Sequence, residues 1–202
     1  MASTVGHALC GIDCLLLSRM IWPEFAPKIV MGTFFGAAFL ANVPDLDLLV
    51  GPVLGEHPHY LHGQMTHSLS FAVFVGVFFG LAAKLSKVDA KPSLVWALCG
   101  FCGILSHVLI DWFTGPNPGV NPSFGTMILW PFSEERIQAS VTVFLGPEHA
   151  SLDELFSLHN LWVMTRELIV FGGFGVLFFA FSRELRIELK SFWQNMFAKR
   201  PA

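Results

Sequence analysis

Charge is scarce in this chain. Only 13% of its 202 residues are Asp, Glu, Lys or Arg, where soluble domains carry about 25%. Hydrophobic residues make up 53%, with 21 Phe among them, and the mean hydropathy is +0.59. An ordinary water-soluble globular domain is excluded, and a membrane protein is expected. Basic residues are fewer than acidic ones, 12 against 15. No basic face exists to neutralise phosphates, which excludes nucleic acid as a partner. There are four cysteines, Cys10, Cys14, Cys99 and Cys102, all inside apolar runs. Cys99 and Cys102 form a lone C-x-x-C with no second thiol pair to complete a tetrahedral site, so all four read as small packing residues. The start of the chain lacks a basic segment and a small-residue cleavage site. No cleavable signal peptide is expected there, and His7 stays in the mature protein.

What is present is a series of long apolar runs near 4–21, 28–43, 68–85, 93–113 and 161–182. Each is judged against the roughly 20 residues that cross a bilayer. A bilayer does not satisfy exposed backbone groups, so these runs must be helical. The first is interrupted by Asp13 and Arg19, and the second is short and ends at Pro44, which a helix interior rejects. The expected fold is all-α: a polytopic membrane protein of about five transmembrane helices. Its membrane domain covers 1–182 and a cytoplasmic basic tail covers 183–202.

Orientation follows from the basic residues. Arg19 and Lys28 follow the first run, Lys84, Lys87 and Lys91 the third, and Arg183, Arg186, Lys190, Lys199 and Arg200 the fifth. The connections 44–67 and 114–160 carry Arg136 as their only basic residue. These two are therefore placed outside, with the N-terminus out and the C-terminus in. The connection 114–160 is long enough to suggest function and is expected to act as a lid or wall. A short strand is expected over Ala139–Leu145, and Ser151 with Asp153 and Glu154 reads as a cap opening a helix toward His159. The last twenty residues read as an amphipathic helix.

The polar residues then gather at one membrane face. Asn42 to Ser68 holds Asp45, Asp47, His57, His59, His62 and His67 without a single Lys or Arg. Carboxylates and imidazoles crowded without a cation repel one another or lose solvation unless a metal ion supplies the positive charge. His7 opens the first run at the same face, and His107 and Asp111 close the fourth. His107 and Asp111 are four apart, one helical turn, so both side chains can reach one ion. Asp45 and Asp47 flank Leu46, and in an extended segment their carboxylates would point the same way.

Seven residues, His7, Asp45, Asp47, His62, His67, His107 and Asp111, exceed the three or four ligands of one catalytic zinc. Either two ions share the site or some of the seven only orient the ligands. Mixed imidazole and carboxylate donors suit zinc, with manganese or iron as alternatives. Such a centre would deliver hydroxide to an ester or phosphoester, with Asp45 or Asp47 as proton acceptor. A lipid-like substrate in the bilayer is the natural partner.

The chain resembles the YdjM-like family of membrane-bound, predicted metal-dependent hydrolases. The resemblance is carried by Gly6-His7, Pro44-Asp45-Leu46-Asp47, His62 with Thr66-His67-Ser68, His107-x-x-x-Asp111, and Trp130-Pro131-Phe132-Ser133 before Arg136. It implies a metal-dependent hydrolase. The family usually has Arg then Gly after the first histidine of its H-x-x-x-x-H-S motif, where this chain has Gly63 and Gln64. Arg136 is the obvious substitute for gripping a substrate anion. A looser likeness to zinc-dependent phospholipase C, in the order Asp, His, then H-x-x-x-D, points toward phosphoesters.

Other polar residues read more plainly. His57, His59, His149 and His159 are expected to be loop histidines. Asp13 and Arg166 are expected to form a buried ion pair, with Glu167 able to join it; the functional alternative makes Arg166 an anion-binding group. Ser68 is expected to cap the third helix. Two rival functions fit the same residues: a metal or proton transporter, whose site would lie near the bilayer midplane, and a scaffold in which a metal only staples helices.

Overall fold

A computed structural model describes residues 2–55, 61–115, 125–148, 154 and 156–197. His57, His59, His149, Ser151 and Asp153 lie outside these residues. The chain is built of helices: α1 (Thr4–Ile21), α2 (Met31–Leu40), a 3-10 turn (Pro44–Leu49) running into the short α3 (Val50–Val53), a second 3-10 turn (Met65–His67), α4 (Leu69–Leu85), α5 (Ala90–Trp112), α6 (Leu158–Phe181) and α7 (Arg183–Phe197). Among the described residues there is no strand. The expected strand Ala139–Leu145 is instead a loop carrying one isolated bridge, Thr114 to Phe144, because its backbone groups bond to the end of α5: Val143 and Phe144 both donate to Phe113 O.

The chain is an integral membrane protein, but with fewer clear crossings than expected. Helices α1, α5 and α6 are long and apolar enough to span. A fourth span arises if α2 and Pro44–Val53 count as one, bent by 62° at the break. Helix α4, at 17 residues, is shorter. The second run fails as a straight helix for the reason its sequence suggests. Pro44 has no N–H to donate and clashes with the preceding turn, and Asn42 Nδ2 caps the end of α2 by donating to Ala38 O at 2.8 Å.

Packing brings like ends together. Phe79 of α4 lies against Gly100 of α5, and Gly76 and Gly80 lie against Ala97, so these two helices run antiparallel along a small-residue seam that lets their backbones approach. Ala72, Val75, Ile104 and Val108 form the cluster between them. Leu16, Ile29, Leu185 and Phe192 form another at the opposite end of the molecule, where Arg19 forms a two-point ion pair with Glu188 (2.9 and 3.0 Å) and donates to the Pro23 and Ala26 carbonyls. Outward faces of α4 and α6 carry Phe74, Val77, Phe78, Leu161, Ile169 and Val176, as lipid contact requires. The start of α1, the end of α2, the start of α4, the end of α5 and the start of α6 all meet at the end opposite the Arg19–Glu188 pair.

The Asp13–Arg166 ion pair is not formed. Arg166 is turned outward, donating to Val143 O at 3.1 Å, and Asp13 lies against Gly175 instead. Nine residues separate Arg166 from Gly175 along α6, so the two side chains sit well over two turns apart. Glu167 serves another group: it accepts the Ser3 N–H (2.9 Å) and the Ser3 hydroxyl.

Candidate metal centre

Four donor-bearing residues close on one another where these helix ends meet. Asp45 on the first 3-10 turn, His67 on the second, and His107 and Asp111 in the last turns of α5 place one ligand atom each within 4.8 Å of all the others. His67 and His107 are fully buried, and Asp111 is nearly so. Local structure aims each of them. The i, i+4 spacing on α5 puts His107 Nε2 3.3 Å from Asp111 Oδ2. Ser68 caps α4 by accepting the Phe71 N–H at 3.1 Å, as expected, which fixes the turn carrying His67.

The hydrogen bonds decide where the protons are. His107 Nδ1 lies 2.7 Å from Ala41 O, a carbonyl freed by the break after α2. A carbonyl can only accept, so Nδ1 carries the hydrogen and the neutral ring turns a lone pair on Nε2 inward. Thr66 Oγ1 donates to Asp47 Oδ2 at 2.7 Å and lies 3.0 Å from His67 Nδ1, which itself lies 3.3 Å from Asp47 Oδ2. His67 Nδ1 therefore also carries a hydrogen, and its Nε2 faces inward. The two Nε2 atoms stand 3.1 Å apart. Asp45 Oδ1 is 3.5 Å from both, and Asp111 Oδ2 is 3.5 Å from His67 Nε2. Asp45 Oδ1 and Asp111 Oδ2 are buried with no hydrogen bond. Four lone-pair atoms converging on one point need a cation there. Without a metal, a proton fills that need: burial pushes the His67 imidazole down, but Asp45 and Asp47 overcome it and hold the group at about 9. The donor set fits a divalent ion of the zinc, manganese or iron kind.

Asp47 does not point the way Asp45 does. In an extended segment the two would share a side, but the chain here is a 3-10 helix, in which residues two apart diverge by about 120°. Asp47 instead accepts from His62 Nδ1 at 2.7 Å and from Thr66 and His67 behind the cluster. It also forms a second group of possible ligands with His62 and His67. A carboxylate on the far nitrogen of a metal-binding histidine is the usual device for holding its ring. His7, fully buried, stacks on His107 (centroids 3.7 Å apart) with Nε2 3.3 Å from Asp111 Oδ1. It thus sits on the outer oxygen of Asp111, and Ala2 N also donates to that oxygen (2.9 Å).

Arg136 reaches the edge of this assembly. Its guanidinium donates to His62 O at 3.0 Å and to Gly125 O at 3.4 Å, tying loop 125–148 to the turn that carries His62. Gly63 makes this possible. Its φ is +75°, which favours glycine, and a Cβ there would lie 2.8 Å from Arg136 Nη1 and displace the end of that side chain. Leu69 N donates to Ile128 O and Met127 N to Gly63 O, which seat the loop as a wall beside the second 3-10 turn. His159 is remote from the cluster and pairs with Gly146 O at 2.9 Å.

The family model of the YdjM inner membrane protein matches residues 1–185. The chain belongs to the YdjM family. No curated protein and no solved structure matches it. In this YdjM protein the match takes in every residue of the cluster. The seven expected metal residues all lie at one end of the helices, four of them as convergent donors and His7, His62 and Asp47 around them. Ser3 and Glu167 were not expected in this role: they pin the chain start so that Ala2 N meets Asp111. The only signal for Glu167 in the sequence is a carboxylate within an apolar run, which names no partner.

Proposed function

We propose that this YdjM protein is a metal-dependent hydrolase acting at the outer face of the membrane on an ester or phosphoester of a lipid-like substrate. The observation that carries the reading is the pair of inward-facing imidazole nitrogens, His67 Nε2 and His107 Nε2, 3.1 Å apart and flanked by two carboxylates. Asp45, His67, His107 and Asp111 would hold the ion, zinc being the first choice. When bound, such an ion supplies Lewis-acid polarisation of the scissile group and a water that ionises near neutral pH.

The protein's own groups divide the remaining work. Asp47 holds His67 in one tautomer and His62 beside it. Among the four donors only the Asp45 side chain keeps solvent contact, at 16% against 0–1% for the rest, so the substrate approaches along Asp45. Both oxygens of Asp47 are already engaged, so the proton acceptor is Asp45, through the oxygen not turned toward the ion. Arg136 braces the His62–Gly63 turn and keeps that wall in place. Basic residues collect at the opposite end, which favours placing the site outside, N-terminus out and C-terminus in.

The test is elemental analysis of the purified protein beside His67→Ala and Asp111→Ala. The parent should carry stoichiometric metal and both variants should lose it; retention of metal in both variants sinks the assignment. Hydrolysis of phosphodiester and ester substrates by the loaded protein, abolished by chelation and by Asp45→Asn, tests the enzyme reading against a structural staple. Metal uptake into vesicles would instead favour a transporter.

A further inference from the structure

A cavity of about 360 Å³ opens beside the cluster, between the break after α2 and the turn leading into α4. Its walls are Val43, Leu46, Val50, Leu61, Met65 and Phe71, and Gln64, Asp47 and Thr66 also line it. Those last two residues bond to each other and to His67, so the cavity reaches the shell of the metal cluster. No cation lines it. Six of these nine lining residues are apolar and Asp47 repels an anion, so the interior suits hydrocarbon better than an anionic headgroup.

The outer wall of this cavity is continuous with an apolar stripe. Leu46, Leu49, Val50, Val53 and Leu54 are all exposed, Val53 by 84%. Leu46 and Leu49 are three apart, one turn of the 3-10 helix, and Val50, Val53 and Leu54 continue the exposed side through α3, while Pro44, Asp47 and Gly51 are buried. Met65 and Leu69 extend the stripe across the mouth of the cavity. A contiguous uncharged surface of this kind belongs in the bilayer, and Leu46 and Val50 belong to both the stripe and the cavity. The cavity therefore opens onto lipid at one end and onto the ligand shell at the other. Its volume is at the small end for ligand sites, which run from about 300 to 1,000 Å³.

We infer that this cavity seats one hydrocarbon chain of the substrate lipid, holding the ester or phosphoester at its head beside the Leu46–Asp45 edge of the cluster, where Asp45 keeps its solvent contact. The inference rests on the hydrolase reading for what happens at the head, but chain binding can be measured without it. The protein is placed in phosphatidylcholine nanodiscs containing a trace of phospholipid with a diazirine-bearing acyl chain, photolysed, and the labelled peptides are mapped. Label should concentrate on residues 43–50 and 61–71 over the lipid-facing α4 residues Phe74 and Val77. Val50→Trp fills the cavity and should cut that label several-fold while bound metal stays at the parent level; Val50→Ala should keep it.

Competition on the parent protein requires no variant. An acyl chain in the bilayer is already out of water, so phosphatidylcholines of increasing acyl length incorporated in the same nanodiscs should displace the label better only through fit, the gain stopping once the cavity is full. Displacement indifferent to chain length overturns the inference. Label spread evenly over the lipid-facing helices overturns the inference, as does label indifferent to Val50→Trp in protein that keeps its metal. Crosslinking of the cavity peptides to a second copy of the chain overturns it too, by assigning the cavity to a dimer contact. Loss of metal in His67→Ala with labelling intact separates the two readings: the cavity inference stands on labelling, the metal assignment on elemental analysis.

Discussion

Replacing Asp47 by asparagine changes one oxygen to an amide nitrogen and little else in shape. Asp47 now accepts from His62 Nδ1, Thr66 Oγ1 and His67 Nδ1. An amide offers one acceptor oxygen in place of two, and its NH2 must face at least one of these donors. Either His62 or His67 loses its partner, and His67 is then free to turn its hydrogen onto Nε2, the atom that faces the ion. Losing such an orienting carboxylate weakens metal binding by about 10- to 100-fold, equivalent to roughly 1.4–2.7 kcal/mol. Losing a donor outright should do more, so Asp111→Ala is expected to abolish stoichiometric binding. The assay is competition against a chelator of known affinity in detergent, with metal read by elemental analysis. Asp47→Asn falling as far as Asp111→Ala would make Asp47 a ligand in its own right. Asp47→Asn matching the parent would mean that the bonds behind His67 do not tune the site.

Four further outcomes are expected. His67 must give up its proton to bind an ion, and in the metal-free protein that proton is held to about pH 9, so apparent metal affinity should rise about tenfold per pH unit below 9 and level off above it. The same group stabilises the metal-free fold fully below pH 6.5, and that contribution is lost as pH rises through 9. The upper limit is of order 3 kcal/mol, and thermal melts of chelator-treated protein at pH 6 and 9.5 would reveal it; equal melting temperatures would contradict the pairing of His67 with Asp45 and Asp47. Gly63→Ala forces a side chain into positive φ and against Arg136, costing about 1–2 kcal/mol, and should lower both melting temperature and metal occupancy; an unchanged melt would remove the case for that turn. Ser68→Ala removes the α4 cap and should cost about 1 kcal/mol with metal binding still measurable, whereas no change in melting would show the cap to be dispensable.

How much of this was legible beforehand varies with the range of the interaction. His107 and Asp111 needed only the helical repeat, and Ser68 only its place before an apolar run. Asp45 and Asp47 were visible as a pair, but their divergence was not, because it depends on the backbone winding into a 3-10 turn after Pro44 rather than staying extended. The count of five crossings followed hydropathy alone, which registers neither the 62° bend between α2 and Pro44–Val53 nor the 17-residue length of α4. Arg166 and Asp13 looked like partners because both are charges in apolar runs; Arg166 is close enough to the end of α6 to reach the Val143 carbonyl instead.

The sequence by itself determined the class of protein and the chemistry available to it. Scarce charge and long apolar runs leave only a membrane helix bundle, and imidazoles and carboxylates without cations demand one from elsewhere. The tertiary structure alone decided which of the seven residues converge and which stand behind them. That choice rests on contacts such as His107 Nδ1 with Ala41 O and Ser3 with Glu167, 66 and 164 residues apart along the chain. Proton positions on the histidines follow from those partners, and no spacing along the chain encodes them.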